Sequence, residues 1–315
     1  MYIDSIRILC ATDNAYVPYY GIMLTSLFET NRAEHFDVFM LTSGLNEESV
    51  NHLQDLFGSY SNELFLVHID DSILADCPIR SGDHVSLATY YRLICANVLP
   101  KDIEKILWLD GDLIINGPIR ELWETDLGDL AIAAVTDESY CQPEIYRRLL
   151  LDASIPYISA GVLLINLAYW RAHNVATRFM ECIRLRRDIL LFHDQDTLNI
   201  VFQNEKAFLP LIWNYQSGFI ASWVYPTYPD SFQRQILQAS TNPRIIHYSG
   251  PAKPWFKHSL HPYRAHFEKY KALSPWKGLP PKSFGLKQDT RNHIGKILRI
   301  IGLKQSPFIL KDQLV

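Results

Sequence analysis

The sequence predicts an α/β protein built on a mainly parallel, Rossmann-like sheet flanked by helices. Two observations lead there. Strand-like and helical segments alternate through the first half of the chain, which argues for a parallel sheet covered on both faces. Acids also end two of the strand-like runs, Asp13 the first and Asp110 the fourth, and sheets of this kind bind ligands beyond the carboxyl ends of their strands.

The elements follow in order. "SIRILCATD" reads as a strand, and "VPYYGIMLTSLFETN" as a helix that tolerates Pro18 in its first turn. "FDVFMLTS" is a second strand, and "NEESVNHLQDLFGSY" a helix capped by Asn46 with Val50, Leu53, Leu56 and Phe57 on one face. "ELFLVHID" is a third strand, "SLATYYRLICANVL" a helix and "KILWLDGD" a fourth strand. After Gly117 the order is less regular: "LAIAAVTD" and "YISAGVLLINL" are strands, residues 174–188 a helix, and "DQDTLNIVFQ" a short helix opened by an acid, with Asp194 as its candidate N-cap. "FLPLIWNYQ", a Tyr/Pro-rich loop over 222–229 and a strand in "PRIIHYSG" complete a catalytic body of residues 1–272. The prolines of "LSPWKGLPPKSFG" disfavour continued helix and make residues 273–315 a linker and tail.

Composition is ordinary for a soluble globular chain of 315 residues, with 48% apolar and 20% charged residues and a net charge of −4. The charge is unevenly spread. Residues 282–315 hold seven Lys or Arg against Asp289 and Asp312, or +5, which leaves −9 on the rest. Together with "IGKILRIIGL", in which Lys296, Arg299 and Lys304 interleave with Ile297, Leu298, Ile300, Ile301 and Leu303, this predicts an interfacial helix for an anionic membrane surface and not a nucleic-acid partner. Five scattered cysteines without a CxxC pair suggest a reducing compartment. No apolar run approaches the ~20 residues of a membrane span, and the start lacks a secretory signal. The expectation is a cytoplasmic protein, peripheral at the inner membrane face.

The chemistry centres on "KILWLDGDLIINGPI", where Asp110 and Asp112 flank Gly111. Two ionised carboxylates so close repel each other and are costly to bury alone, so the pair is expected to take a cation. Oxygen ligands suit Mg, Ca or Mn, and an added imidazole favours Mn. "IIHYSGPAKPW" supplies His247 at the end of another apolar strand, followed by Gly250, where backbone can approach a phosphate closely, and Lys253, a point charge for it.

The ordered set "CATDNAY", "HVSLATYYRL", "KILWLDGDLII", "AAVTD", "ISAGVLLINL", "HDQDTLN", "WNY" and "HYSGPAKPW" resembles glycosyltransferase family 8, above all the bacterial enzymes that extend lipopolysaccharide and lipooligosaccharide cores with galactose or glucose. "SPWKGLPPK" is similar to the family's tail. The resemblance implies a GT-A fold and a retaining hexosyltransferase that uses a UDP-sugar. By the same resemblance Asp110, Asp112 and His247 hold Mn, with Mg as an alternative, across the donor diphosphate. Ala11, Thr12 and Asp13 receive uracil and ribose, while Gly250 and Lys253 meet the phosphates. His84 and Arg92 match positions of a lid and the helix after it, where the arginine reaches toward the donor sugar and acids, and Asp137, Ser159, Ala160, Gly161, Asp194 and Gln195 match the pocket around the sugar. The family usually carries Asn where this chain has Ser159, which bears on the choice of hexose. No glutamate matches a glycosidase-type covalent nucleophile. Gln195 stands there instead, which implies front-face displacement with Asp194 orienting sugar hydroxyls.

Plainer roles compete at several positions. Asp13 also suits a cap for the next helix, His84 a solvated loop histidine, and Arg92 a structural ion pair. Trp213 and Asn214 are read as pocket wall. Among rival classes, a haloacid-dehalogenase-type phosphatase places its DxD in the first strand followed by Thr or Val, whereas here three strands precede it and Leu113 follows. A dinucleotide oxidoreductase lacks its GxGxxG. A non-catalytic UDP-sugar-binding protein would bind without turnover. Self-glucosylation of a tyrosine is a different acceptor choice within the family.

Overall fold

The protein is described by a computed structural model over residues 5–79, 86–283, 285–300 and 303–309. Its main sheet has seven strands: β1 (Ile6–Ala11), β2 (Phe36–Thr42), β3 (Glu63–His68), β4 (Lys105–Leu109), β6 (Ile132–Thr136), β7 (Ile158–Asn166) and β8 (Lys206–Leu209). They run in the order β3-β2-β1-β4-β7-β6-β8. Only β7 opposes its neighbours, pairing antiparallel with β4 and β6, while β1, β2, β3 and β4 are mutually parallel and β6 is parallel to β8. A second sheet joins β5 (Leu113–Ile115), β10 (Ile245–His247) and β9 (Tyr215–Gln216) in the order β5-β10-β9.

Alternate strand residues feed two cores, because successive side chains leave opposite faces of a sheet. Ile6, Ile8, Cys10, Leu107 and Leu109 pack under the helices Val17–Thr30 and Glu47–Tyr60. Leu9, Ala11, Ile106 and Trp108 face the helices Val175–Arg186 and His193–Val201. Asn46 caps its helix as expected, accepting the Ser49 N–H at 2.9 Å, although Ser49, not Val50, joins Leu53, Leu56 and Phe57 on the buried face.

Two local expectations are corrected. The segment read as a helix at 86–99 is a 3-10 helix over Leu87–Ile94, followed by a single α-turn Cys95–Val98. Residues i and i+3 eclipse in a 3-10 helix, which puts Thr89 and Arg92 in one row, and both bind Asp194. Asp194 is not the N-cap of its helix. It is the second residue of His193–Val201, and the Phe192 N–H is taken by Asp196 Oδ2 at 2.8 Å.

Beyond residue 272, Trp276 is buried against the helix Val17–Thr30, over Gly21, where any Cβ would collide with its ring. Lys282 pairs with the backbone of Trp255 and Lys257. The helix Leu286–Ile300 follows. Phe308 is then buried beside His261, in a bridge to Ala221. No helix among the described residues is long and apolar enough to cross a membrane.

Trp276→Ala should lower unfolding free energy by about 3–5 kcal/mol, the usual range for emptying a large aromatic site. Urea denaturation checks this, and a loss under about 1 kcal/mol would mean that the segment over Gly21 adds little to the fold.

Candidate active site

The chain leaves the main sheet at Leu109 and enters the small sheet at Leu113, so Asp110, Gly111 and Asp112 form the turn between the two sheets. Gly161 O on β7 accepts the Asp110 N–H at 3.0 Å, and Asp112 O accepts the Tyr248 N–H at 3.0 Å. Antiparallel pairing of β10 with β5 sets His247 opposite Leu113. One ligand atom each from Asp110, Asp112 and His247 thus falls within 4.8 Å of the others. A glycine is needed at 161, since a Cβ there would overlap the His247 ring, with Nδ1 at 2.8 Å and Asp110 Oδ2 at 3.3 Å.

Both aspartates already carry protein cations, so the chain itself meets part of the charge that the sequence left open. Arg92, 4% exposed, donates to Asp110 Oδ1 at 2.9 Å, pairs with Asp194 Oδ2 at 2.9 Å and donates to Ala160 O. Its guanidinium lies 4.0 Å from the Trp108 ring centre, and the Trp108 indole N–H also donates to Asp110 Oδ1, at 2.8 Å. Both bonds use Oδ1, leaving Oδ2 on the side of Gly161 and His247. Lys253 donates to Asp112 Oδ2 and, at 2.7 Å, to Tyr248 O, while His247 Nε2 stands 3.3 Å from Asp112 Oδ1. Burial alone would raise the Asp112 carboxyl, but Lys253 and His247 outweigh it and hold it below its ordinary range. Burial likewise opposes protonation of His247, and Asp112 overrides it and pushes the imidazole up. Two carboxylates and one imidazole suit a divalent cation with oxygen preference.

The residues matched to the sugar pocket form a hydrogen-bonded row. Gln195 Oε1 accepts the Ala160 N–H at 2.8 Å, and Gln195 Nε2 donates to Asp137 Oδ2 at 3.2 Å. Asp137 Oδ1 accepts the Ser139 N–H at 2.9 Å and the Ser139 hydroxyl. Burial and the neighbouring Glu138 push Asp137 up to about 6. Glu138 is itself engaged, accepting the Gly218 N–H at 2.7 Å and the Ser249 hydroxyl at 2.5 Å. Asp194 is raised by burial even though Arg92 pulls it down.

At the end of β1, Thr12 N–H donates to Leu41 O at 2.9 Å, continuing the pairing past Ala11. Asp13 Oδ1 accepts the N–H groups of Ala15 and Tyr16 at 3.0 and 3.1 Å, as a cap for the helix entry. Tyr16, not singled out by sequence, links this edge to the turn: burial raises its phenol first, and Asp112, Asp110 and Asp13 add to it. Gly250 takes φ +69°, which only glycine adopts without strain. His84 lies outside the described residues. Sequence reasoning also missed Thr89 and Glu138, whose contacts cross elements far apart in the chain, and Trp108, which reads as a core residue of its strand yet reaches Asp110 two residues on.

The order of strands, the sheet junction and the acidic turn beneath it define a GT-A glycosyltransferase fold. The solved galactosyltransferase LgtC, determined with donor and acceptor sugar analogues, superposes with a TM-score of 0.78 at 24% identity, covering 87% of this chain and 99% of that one. The family model for glycosyl transferase family 8 matches residues 7–259, and the chain belongs to that family. Among curated relatives, General stress protein A of Bacillus subtilis is 25% identical over 85% of this chain and 93% of its own length. The lipopolysaccharide 1,3-galactosyltransferase of Salmonella typhimurium is 25% identical over 87% of this chain and 80% of its own.

Because ionising Asp137 inside the fold is disfavoured, its contribution to stability is full below its ordinary value near 3.8 and is lost as pH rises through about 6. Urea unfolding of wild type and Asp137→Asn should show wild type losing stability relative to the variant over that window, by at most about 1.4 kcal/mol per pH unit. Parallel profiles would mean that Asp137 is not perturbed.

Proposed function

We propose that the protein is a retaining hexosyltransferase that moves galactose or glucose from a UDP-sugar to a saccharide acceptor in the synthesis of lipopolysaccharide or another surface glycan. The observation that carries this is the convergence of Asp110, Asp112 and His247 within 4.8 Å at the sheet junction, in a family 8 chain. The relatives named for lipopolysaccharide galactosyl and glucosyl transfer support the substrate class. Mn2+, with Mg2+ as an alternative, fits this donor set, and when bound it would act as Lewis acid toward the diphosphate.

The protein's own groups do the rest. Ala11, Thr12 and Asp13 at the end of β1 receive uracil and ribose. Lys253 and Gly250 meet the diphosphate, the ammonium countering the charge that grows on the leaving group. Arg92 holds Asp110 and Asp194 in place. The sugar C1–phosphate oxygen bond breaks, the acceptor oxygen bonds to C1 on the same face, and the acceptor proton passes to a phosphate oxygen of the departing UDP. Gln195 supports the cationic sugar through its amide oxygen, already oriented by Ala160 N–H. Asp194 and Asp137, with Ser159, Ala160 and Gly161, line the sugar.

Titration calorimetry with UDP, UDP-glucose and UDP-galactose should show binding that depends on Mn2+ and is abolished in Asp112→Ala. Transfer in the presence of acceptor should fall at least tenfold in Gln195→Ala with donor binding retained. No uridine nucleotide binding in wild type would sink the transferase reading, and full transfer by Gln195→Ala would sink that residue's role.

The C-terminal helix supports a peripheral site at the inner face of the cytoplasmic membrane. Ile294, Ile297 and Leu303 are exposed, alongside Lys296, Arg299 and Lys304. Vesicles of anionic phospholipid should co-sediment wild type at low salt and release it at high salt, with binding reduced in Ile294→Ser/Ile297→Ser. Equal binding by that variant would refute the interfacial role.

A further inference from the structure

Asn214 is fully buried and sits just before β9, at the back of His247. Its side-chain oxygen lies 2.8 Å from His247 Nδ1, and its amide nitrogen donates to Ser159 Oγ at 3.2 Å. The backbone is fixed on both sides, with Asn214 N–H donating to Leu211 O at 3.2 Å and Asn214 O accepting the Gln216 amide at 3.4 Å. An amide oxygen only accepts, so this contact requires the proton of the neutral imidazole on Nδ1. In the neutral ring, the form that ligates a metal, the lone pair is then on Nε2, the nitrogen that stands 3.3 Å from Asp112 Oδ1.

We propose that Asn214 is a positioning residue: it fixes His247 as the Nδ1–H tautomer, aims Nε2 at a divalent cation, and is itself held by Ser159. This deepens the metal-dependent reading above and rests on it. Ser159 is 2% exposed and its hydroxyl also lies 3.4 Å from the Gly161 N–H, so a short side chain at this position serves the amide of Asn214 from inside the protein. Partners behind a metal-binding histidine commonly tune affinity by 10–100-fold.

The test is Mn2+ binding, read by loss of the free-ion electron paramagnetic resonance signal at saturating UDP, in wild type, Asn214→Leu and Asn214→Asp. Asn214→Leu should weaken Mn2+ binding by about 10–100-fold while UDP affinity in chelator stays as in wild type. Asn214→Asp keeps an acceptor oxygen and should bind Mn2+ at least as tightly as wild type. Unchanged Mn2+ affinity in Asn214→Leu, or equal weakening in both variants, would overturn the inference alone. Failure of wild type to bind Mn2+ with UDP would overturn the metal reading and the inference together. If Asn214→Leu does not fold, the wild-type protein still decides: with 15N-labelled histidine in alkaline, chelated buffer, the His247 signal, assigned against His247→Gln, should report the Nδ1–H tautomer. The Nε2–H tautomer would overturn the inference.

Discussion

Arg92 is a guanidinium with almost no water around it, set between Asp110 at the end of β4 and Asp194 in the helix His193–Val201. A buried charge that loses its partner costs several kcal/mol, so these three groups must stay together or the fold around them must open. The 3-10 helix that carries Arg92, the strand that ends in Asp110 and the helix that presents Asp194 are therefore fixed relative to one another. Trp108 closes the arrangement from below by stacking on the guanidinium and donating to the same carboxylate oxygen. Asp110 Oδ2 is what remains on the open side.

The second constraint is geometric. A single turn, Asp110 to Asp112, takes the chain from a seven-stranded sheet into a three-stranded one. Each sheet then contributes to the site by its own pairing: β7 brings Gly161 to Asp110, and β10 brings His247 to Asp112. Lys253 and Arg92 each neutralise one aspartate from opposite sides. The low dielectric that makes such charges costly to bury also strengthens their pairing, so the site is preorganised by the same interactions that hold the two sheets together.

Much of this was legible in the chain. The strands β1, β2, β3, β4, β6, β7 and β10 stand out as short apolar runs, and the helices Val17–Thr30 and Glu47–Tyr60 carry a helical period with recognisable entry signals. The acidic pair and the histidine that it faces could be named from motif order. The 3-10 geometry of Leu87–Ile94 could not, because its apolar pattern suits an α-helix equally, and the tighter turn is selected by the shared grip of Thr89 and Arg92 on Asp194. Asp194 misled for a similar reason: an acid at a helix start reads as a cap, but Asp196 takes the backbone N–H and frees Asp194 for Arg92.

By itself the sequence determined the alternation of elements, the two faces of each buried strand and the identity of the acidic turn, since these depend on residue type and spacing along one stretch of chain. Only the tertiary structure decided that β7 runs against its neighbours, that Asp110 and Asp112 carry Arg92 and Lys253, and that Asn214 stands behind His247. Those pairings join residues 18 to 141 positions apart. No local propensity encodes them: they are selected by the cost of leaving a buried charge or polar group unmatched.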